Sequence, residues 1–317
     1  MASPNGPGIL LVDKPGGMTS HDVVARARKA LGTRKIGHAG TLDPLATGLL
    51  VLGVDSATRL LTYLVGLDKT YEATIRLGAS TDSDDSDGEI IARADPQTLA
   101  AVDAEALRTP IAALTGRISQ VPSTVSAIKV DGRRAYDLAR AGEEVVLAAR
   151  EVTVSRFEVL DMRRVDDAVD VDVVVDCSSG TYIRALARDL GSALGVGGHL
   201  TALRRTRIGP FGIEDAIMPE ATATEPLLSS ADVAVRVLGG IQVTDAEASA
   251  LRNGQRLTGA AGRIAGEHAA AIDPAGELIG VVGRRGDDLK SLMNLPTGAA
   301  AAGAAASEGA TQRRGAR

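Results

Sequence analysis

The stretch Gly37-His38-Ala39-Gly40-Thr41-Leu42-Asp43-Pro44-Leu45-Ala46-Thr47-Gly48 constrains this chain more than any other. It places one carboxylate, Asp43, between two glycines and directly before a proline. A residue before proline is pushed out of the helical region toward extended backbone. Gly40 and Gly48 permit positive φ and close backbone approach. The apolar run from Leu49 to Val54 follows at once and reads as a buried strand. The pattern predicts a stiff loop that holds one acid at the edge of a sheet. Taken alone, Asp-Pro also fits an ordinary surface turn, so the rest of the chain has to decide.

Length and composition set the frame. A chain of 317 residues has room for a large core and, as a soft prior, about two domains. Its 44% hydrophobic and 24% charged residues are ordinary for a soluble globular protein. Residues 1–8 are rich in Pro and Gly without a basic residue, so no signal peptide is expected. No apolar run approaches the roughly 18 residues needed to span a bilayer. The expected location is cytoplasmic, with no membrane partner. One cysteine, Cys177, excludes an internal disulfide and a cysteine-based zinc cluster. It ends a valine-rich strand and reads as a buried, inert thiol rather than a nucleophile.

The formal net charge of −5 argues at first against a nucleic-acid partner, but its distribution matters more than its sum. Arg26, Arg28, Lys29, Arg34 and Lys35 fall in a stretch without acids. Lys129, Arg133 and Arg134 form a second basic cluster, and Arg204, Arg205 and Arg207 a third. Acids gather elsewhere, in Asp82 to Glu89 and Asp161 to Asp176. Each cluster could be a solvated face; their segregation permits phosphate binding on one side.

Read in order, residues 9–12 form a short buried strand and Lys14-Pro15-Gly16-Gly17 a turn. Thr19 or Ser20 caps a helix with Val23, Val24, Ala27 and Leu31 on its apolar face and Arg28 and Lys29 toward solvent. Residues 70–77 alternate as a half-buried strand with Tyr71 on the core side. The acidic run 82–89 invites a calcium loop, but alignment on Gly88 puts Ser83 at the first ligand position and Ala94 at the last. A solvated loop is expected instead. Residues 99–115 read as helical, and 152–159 and 168–176 as strands. Ser178-Ser179-Gly180 leads into a helix with Ile183, Leu186, Ala187, Leu190 and Leu194 on its stripe. Arg184 stands in its first turn, where a cation opposes the helix dipole. It is either a surface arginine or half of a buried ion pair. Residues 241–292 form a compact, glycine-containing segment with a helix near 245–253 and strand pieces at 270–273 and 278–282. From Gly298 the chain is Ala/Gly-rich with a basic end and is expected to be disordered.

Several pieces of this chain, in this order, resemble the TruB family of tRNA pseudouridine-55 synthases. They are Asp13-Lys14-Pro15 with Met18-Thr19-Ser20, the Asp43 stretch, Lys69-Thr70-Tyr71, Ser179-Gly180-Thr181-Tyr182-Ile183-Arg184 and Leu203-Arg204-Arg205. They run from about residue 8 to about residue 212. The resemblance implies an α/β (α+β) fold, a mostly antiparallel mixed sheet with flanking helices, over residues 1–236. It implies an RNA-binding insertion at about 118–150, and a small β-rich PUA-like domain at 237–296 ahead of the tail 297–317. Val125 stands where the family usually carries an aromatic, which argues against base stacking at that point. The implied substrate is the T-arm of tRNA, acted on by a single chain.

The resemblance makes Asp43 the essential acid, either a nucleophile or an aid to glycal formation. Attack needs the ionised carboxylate, and burial would raise its pKa unless a cation stands nearby. Arg184 is the candidate, since guanidinium stays protonated and pairs bidentately. A base inside folded RNA has to be extruded before a loop-mounted acid reaches it, and Tyr71 is the candidate to stack on it or to assist removal of the C5 proton. His38, Tyr182 and Leu203 match family positions lining the uridine pocket. Arg204 and Arg205 complete the substrate-binding set, together with Lys14, which otherwise reads as a surface turn lysine.

No cofactor or metal is expected. Gly195-Val196-Gly197-Gly198 follows a helix rather than a strand and so fails the dinucleotide test. His21, His38, His199 and His268 do not fall at metal-ligand spacing. The competing readings are a guide-dependent synthase of the box H/ACA type and an RNA-folding chaperone or binding module. A hydrolase lacks a second carboxylate at a recognisable spacing.

Overall fold

The computed structural model describes residues 6–123, 129–130, 133–134 and 147–296. Expectations for the centre of the 118–150 insertion, including Val125, and for the tail lie outside the described residues. The chain divides into two compact units. The first holds the described parts of 1–44, 48–65 and 209–317, the second those of 45–47 and 66–208.

The first unit opens with β1 (Gly8–Lys14), α1 (Ser20–Leu31), β2 (Ile36–Ala39), β3 (Thr47–Val54) and the short α2 (Leu61–Leu64). Antiparallel pairing sets Lys14 opposite Gly48 and Gly8 opposite Val54, while β2 pairs with the far half of β3. The expected helix starts with a capping box, Thr19 bonding Asp22 in both directions, and stops at Gly32 in the left-handed region. Its Val23, Val24, Ala27 and Leu31 pack on Leu10, Val12, Leu50, Leu52 and Val54. Ile9, Leu11, Leu49 and Val51 on the other strand face are buried as well. Burial on both faces explains the unbroken apolar run, since no face is left for polar alternation.

The second unit is built on β4 (Lys69–Leu77). The hairpin β5 (Ala79–Thr81) and β6 (Ile90–Arg93) follows, then α3 (Pro96–Ala100) and α4 (Ala104–Ala113). The helix expected over 99–115 is therefore two helices. Val102 is buried between them and the Asp103 carboxylate accepts from the Ala106 N–H, starting a new helix there. Next come β7 (Gly116–Gln120), β8 (Lys129–Val130), β9 (Arg133–Arg134), β10 (Arg150–Val165), β11 (Ala168–Cys177), α5 (Ile183–Ala193) and β12 (Gly198–Ile208).

The strands β12, β4, β11, β10 and β7 lie side by side in that order, each antiparallel to the next. One face carries Tyr71, Ala73, Ile75 and Leu77 with Val169, Val171, Val173 and Val175, all buried. The other face is a polar ladder in which Arg76 bonds Asp170 through two nitrogens, Thr74 bonds Asp172 and Thr70 bonds Asp176. The glycine-rich turn that failed as a dinucleotide loop has a packing role. A Cβ on Gly191 would lie 2.2 Å from the Gly197 carbonyl carbon, and one on Gly198 2.5 Å from the Ala187 oxygen.

The first unit resumes with β13 (Phe211–Gly212), α6 (Ser230–Leu238), β14 (Gly240–Gln242), α7 (Asp245–Arg252), β15 (Arg256–Leu257), β16 (His268–Ile272), β17 (Leu278–Arg285) and β18 (Asp288–Asn294). The order β14-β16-β17-β18-β15 makes a five-stranded sheet, as the β-rich expectation requires. Alternation divides it: Ala269 and Ala271 face a core with Leu251, Ile264 and Leu289, while Ala270 and Ile272 face Leu60, Ala234 and Leu295.

Candidate active site

The first unit holds Asp43, His38 and Lys14. Asp43 is half-buried in the loop between β2 and β3, and the loop is fixed on both sides of it. On one side the Ser20 hydroxyl donates to the Leu42 carbonyl (3.1 Å) and accepts from the Leu42 N–H (2.8 Å). On the other, the Pro44 carbonyl accepts from the Gly17 N–H (2.9 Å) and the Lys14 ammonium (3.4 Å). Lys14 also donates to the Met18 carbonyl at 2.7 Å and is 0% exposed. It is thus a buried tether of the loop, not a surface turn lysine. Gly40 and Gly48 take φ of +89° and +102°, which a side chain would strain. His38 sits on β2, edge-on to His21 with ring centroids 5.5 Å apart. Short bonds to a strand end and a helix N-terminus make the stiff loop that the sequence implied.

The second unit holds Tyr71, Tyr182, Arg184, Leu203, Arg204 and Arg205. Arg184 is buried at 5% exposure; its Nη1 donates to the Ser83 carbonyl (2.9 Å) and pairs with Asp85 Oδ2 (3.2 Å). One turn on, Arg188 pairs with Asp84 (3.1 Å) and Asp189 (2.9 Å). Burial pushes the Asp84 carboxyl above its ordinary range, an effect opposed by Arg188. The acidic run is therefore solvated only at its edges: Asp82, Ser86, Asp87 and Glu89 are exposed as expected, while Ser83 to Asp85 are buried. Asp84 and Asp85 are buried because two arginines of α5 meet their charges, and the Ser83 carbonyl accepts from one of them. The turn is further closed by Ser83 and Asp87 bonding to the Asp85 carboxylate.

The basic cluster at 204–207 is split by strand alternation. Arg205 pairs in register with Tyr71 and shares its face, 1% exposed. Arg204 and Arg207 lie partly exposed on the polar face, opposite Glu72 and Thr70. Lys69 begins the same strand as Tyr71. Burial, then the neighbouring Arg205 charge, lowers its pKa to about 8. Cys177, across from Lys69, is buried and pushed up to about 11 by that burial. Leu203 and Arg204 line a groove of about 490 Å³ with Leu45, Thr47, Glu72 and Thr74; Tyr71 is not part of its wall.

Among the described residues, no group of three or more His, Cys, Asp or Glu is placed to hold a metal ion, and no helix is long and apolar enough to cross a membrane. Sequence reasoning did not single out Asp85, Arg188 or Gln120, and it offered Ser20 as a helix cap rather than as the partner of Leu42.

Three comparisons relate the chain to pseudouridine synthases. The protein chain in a structure of an H/ACA ribonucleoprotein bound to a substrate RNA containing 2′-deoxyuridine superposes with a TM-score of 0.67. It is 25% identical, over 91% of this chain and 84% of that one. The model of the TruB family pseudouridylate synthase N-terminal domain matches residues 28–183. Those of the tRNA pseudouridylate synthase B C-terminal domain and the tRNA pseudouridine synthase II C-terminal region match 184–225 and 240–296. The tRNA pseudouridine synthase B of Leifsonia xyli subsp. xyli is 57% identical over 92% of this chain and 97% of its own length. That of Nocardia farcinica is 62% identical over 79% and 81%. The chain belongs to the TruB family of pseudouridine synthases, which are isomerases.

Proposed function

We propose that this chain isomerises uridine 55 in the T-loop of tRNA to pseudouridine, with Asp43 as the essential acid. The observation that carries the reading is the Asp43 loop, pinned at Leu42 by Ser20 and at Pro44 by Gly17 and Lys14. A carboxylate so held keeps its place without reorganising during the reaction. The reaction moves C1′ from N1 to C5 of the uracil. The N1–C1′ bond breaks, the base turns, C5 bonds C1′, the C5 proton leaves and N1 gains one. No oxidant, energy source or metal enters that balance.

In this reading Asp43 attacks C1′ or assists a glycal, and Arg184 supplies the positive charge that keeps it ionised. Tyr71 stacks on the extruded uracil or assists departure of the C5 proton. His38, Tyr182 and Leu203 line the uridine pocket, Lys14 secures the loop, and Arg204 serves the RNA side, while Arg205, 1% exposed, stays on the Tyr71 face. The domain division at 236–237, a single chain acting alone and a cytoplasmic site of action go with this assignment. The named relatives support it over a guide-dependent particle, since this chain spans 97% of the Leifsonia enzyme.

The test is to incubate the protein with unmodified tRNA transcripts, without guide RNA, and map pseudouridine by mass spectrometry. Modification at position 55, absent from a transcript with cytidine there, is expected. Modification only with added guide RNA, or at another uridine, would overturn the assignment.

A further inference from the structure

Tyr182 stands at the N-cap of α5 with φ −102° and ψ 106°, and no side-chain cap bonds the first turn. Helix starts need such partners to fix their first N–H groups and their direction. Here the partner comes from another strand. Gln120, the last residue of β7, donates from Nε2 to the Tyr182 carbonyl (3.0 Å) and accepts at Oε1 from the Tyr182 N–H (2.9 Å). Two opposed bonds between one side-chain amide and one backbone residue fix position and orientation together, as a narrow pair in a ladder does. Gln120 is 2% exposed, so bulk water does not readily replace either bond. Nearly two turns later, Arg188 Nη2 donates to the carbonyl of Val121, the residue after Gln120 (2.7 Å). The first two turns of α5 therefore hang from the end of β7, and Arg184 lies between the two attachments.

We propose that Gln120 is a positioning residue for pseudouridine formation, setting the place of Tyr182 and, through the first turn of α5, of Arg184. The proposal rests on the role given to Arg184 above. Gln120 acts through the backbone of Tyr182 and touches no reacting atom.

Two variants separate positioning from general stability. Gln120→Ala removes both bonds. Gln120→Glu keeps an acceptor for the Tyr182 N–H but, when ionised, has no donor and turns a charged oxygen toward the Tyr182 carbonyl. When protonated it mimics the amide, and burial favours that form. Single-turnover rates would be measured with saturating enzyme below the unfolding temperature of every variant, alongside tRNA affinity and amide hydrogen exchange.

Gln120→Ala is expected to slow the reaction roughly 10- to 100-fold while changing tRNA affinity less than about threefold. Amides of residues 182–186 should exchange faster, with those of β10 and β11 unchanged. Gln120→Glu should regain rate relative to the parent as the pH falls from about 8 to about 6. A parental single-turnover rate in Gln120→Ala would overturn the proposal, with or without faster exchange at 182–186. So would a uniform rise in exchange across the sheet, or a Gln120→Glu deficit that does not change with pH. If the parent protein makes no pseudouridine, it is the function assigned to Asp43 that fails. The exchange at 182–186 then still decides whether Gln120 anchors α5.

Discussion

Arg184 and Asp85 form an ion pair sealed from solvent, Nη1 to Oδ2 at 3.2 Å with each side chain 6% exposed. Removing one partner of such a pair takes a counter-charge from a buried ion, which costs more than the pair itself contributes. Asp85→Ala is therefore expected to destabilise the protein by about 3 kcal/mol in denaturant unfolding. Asp85→Leu combined with Arg184→Met should recover much of that stability and none of the activity. A double variant as unstable as the single would show that packing around Asp85, not its charge, holds the turn.

Ser20 is the second pivot. Its hydroxyl meets both backbone groups of Leu42, and it is buried. Ser20→Ala leaves a buried N–H and a buried carbonyl without that partner, at a cost of about 2 kcal/mol. Looser support of the Asp43 loop should lower the single-turnover rate about tenfold while leaving tRNA affinity near the parental value. An unchanged rate would show that Asp43 does not depend on this anchor.

Lys69 gives the fold a pH signature. Its folded-state pKa is lowered from 10.5 to about 8. Below the folded value the lysine is charged in both states and its buried charge destabilises in full. Between about 8 and 10.5 the folded state releases its proton while the unfolded state keeps it, so stability rises with pH. Each unit is worth about 1.4 kcal/mol. Cys177 acts in the opposite sense above pH 9.0, because burial raises its pKa to about 11 and the unfolded thiol ionises first. The clean window is thus about pH 8 to 9. There the parent should gain about 1 kcal/mol relative to Lys69→Met. Parallel curves for the two proteins would contradict the buried-charge assignment.

Cys177 itself should be inert. Its thiol is buried on β11 and held well above its ordinary range, and the thiolate is the reactive form. A thiol reagent at about pH 8 should label it only after unfolding. Rapid labelling of the native protein would mean that the end of β11 opens readily.

Where a single local pattern decided the outcome, the fold was legible. The period of α1, the alternation of Tyr71 to Leu77 and the two-sided apolar run of β3 each report local burial, and burial is written in residue type. The Asp43 loop was legible for a similar reason, since proline restricts the backbone directly and two glycines mark where positive φ is needed. What escaped was pairing at a distance. Asp84 and Asp85 look like solvated acids until α5 brings Arg184 and Arg188 beside them. Arg205 looks like its neighbour Arg204 until the strand turns it to the Tyr71 face. Gln120 carries no pattern at all, because its partner is the backbone of Tyr182, and any residue could supply that. The break between α3 and α4 turned on one aspartate acting as a cap, a choice that competes evenly with helix continuation until Val102 is buried.

The most direct measurement is tritium release from unmodified tRNA carrying [5-³H]uridine, with the protein compared to Asp43→Asn and no guide RNA, metal or nucleotide added. The loop geometry leaves asparagine room in the same place without its charge, so the variant should fold, bind tRNA and release no tritium while the parent releases it. Release by Asp43→Asn at the parental rate, or none by a folded parent that binds tRNA, would contradict the central role of Asp43.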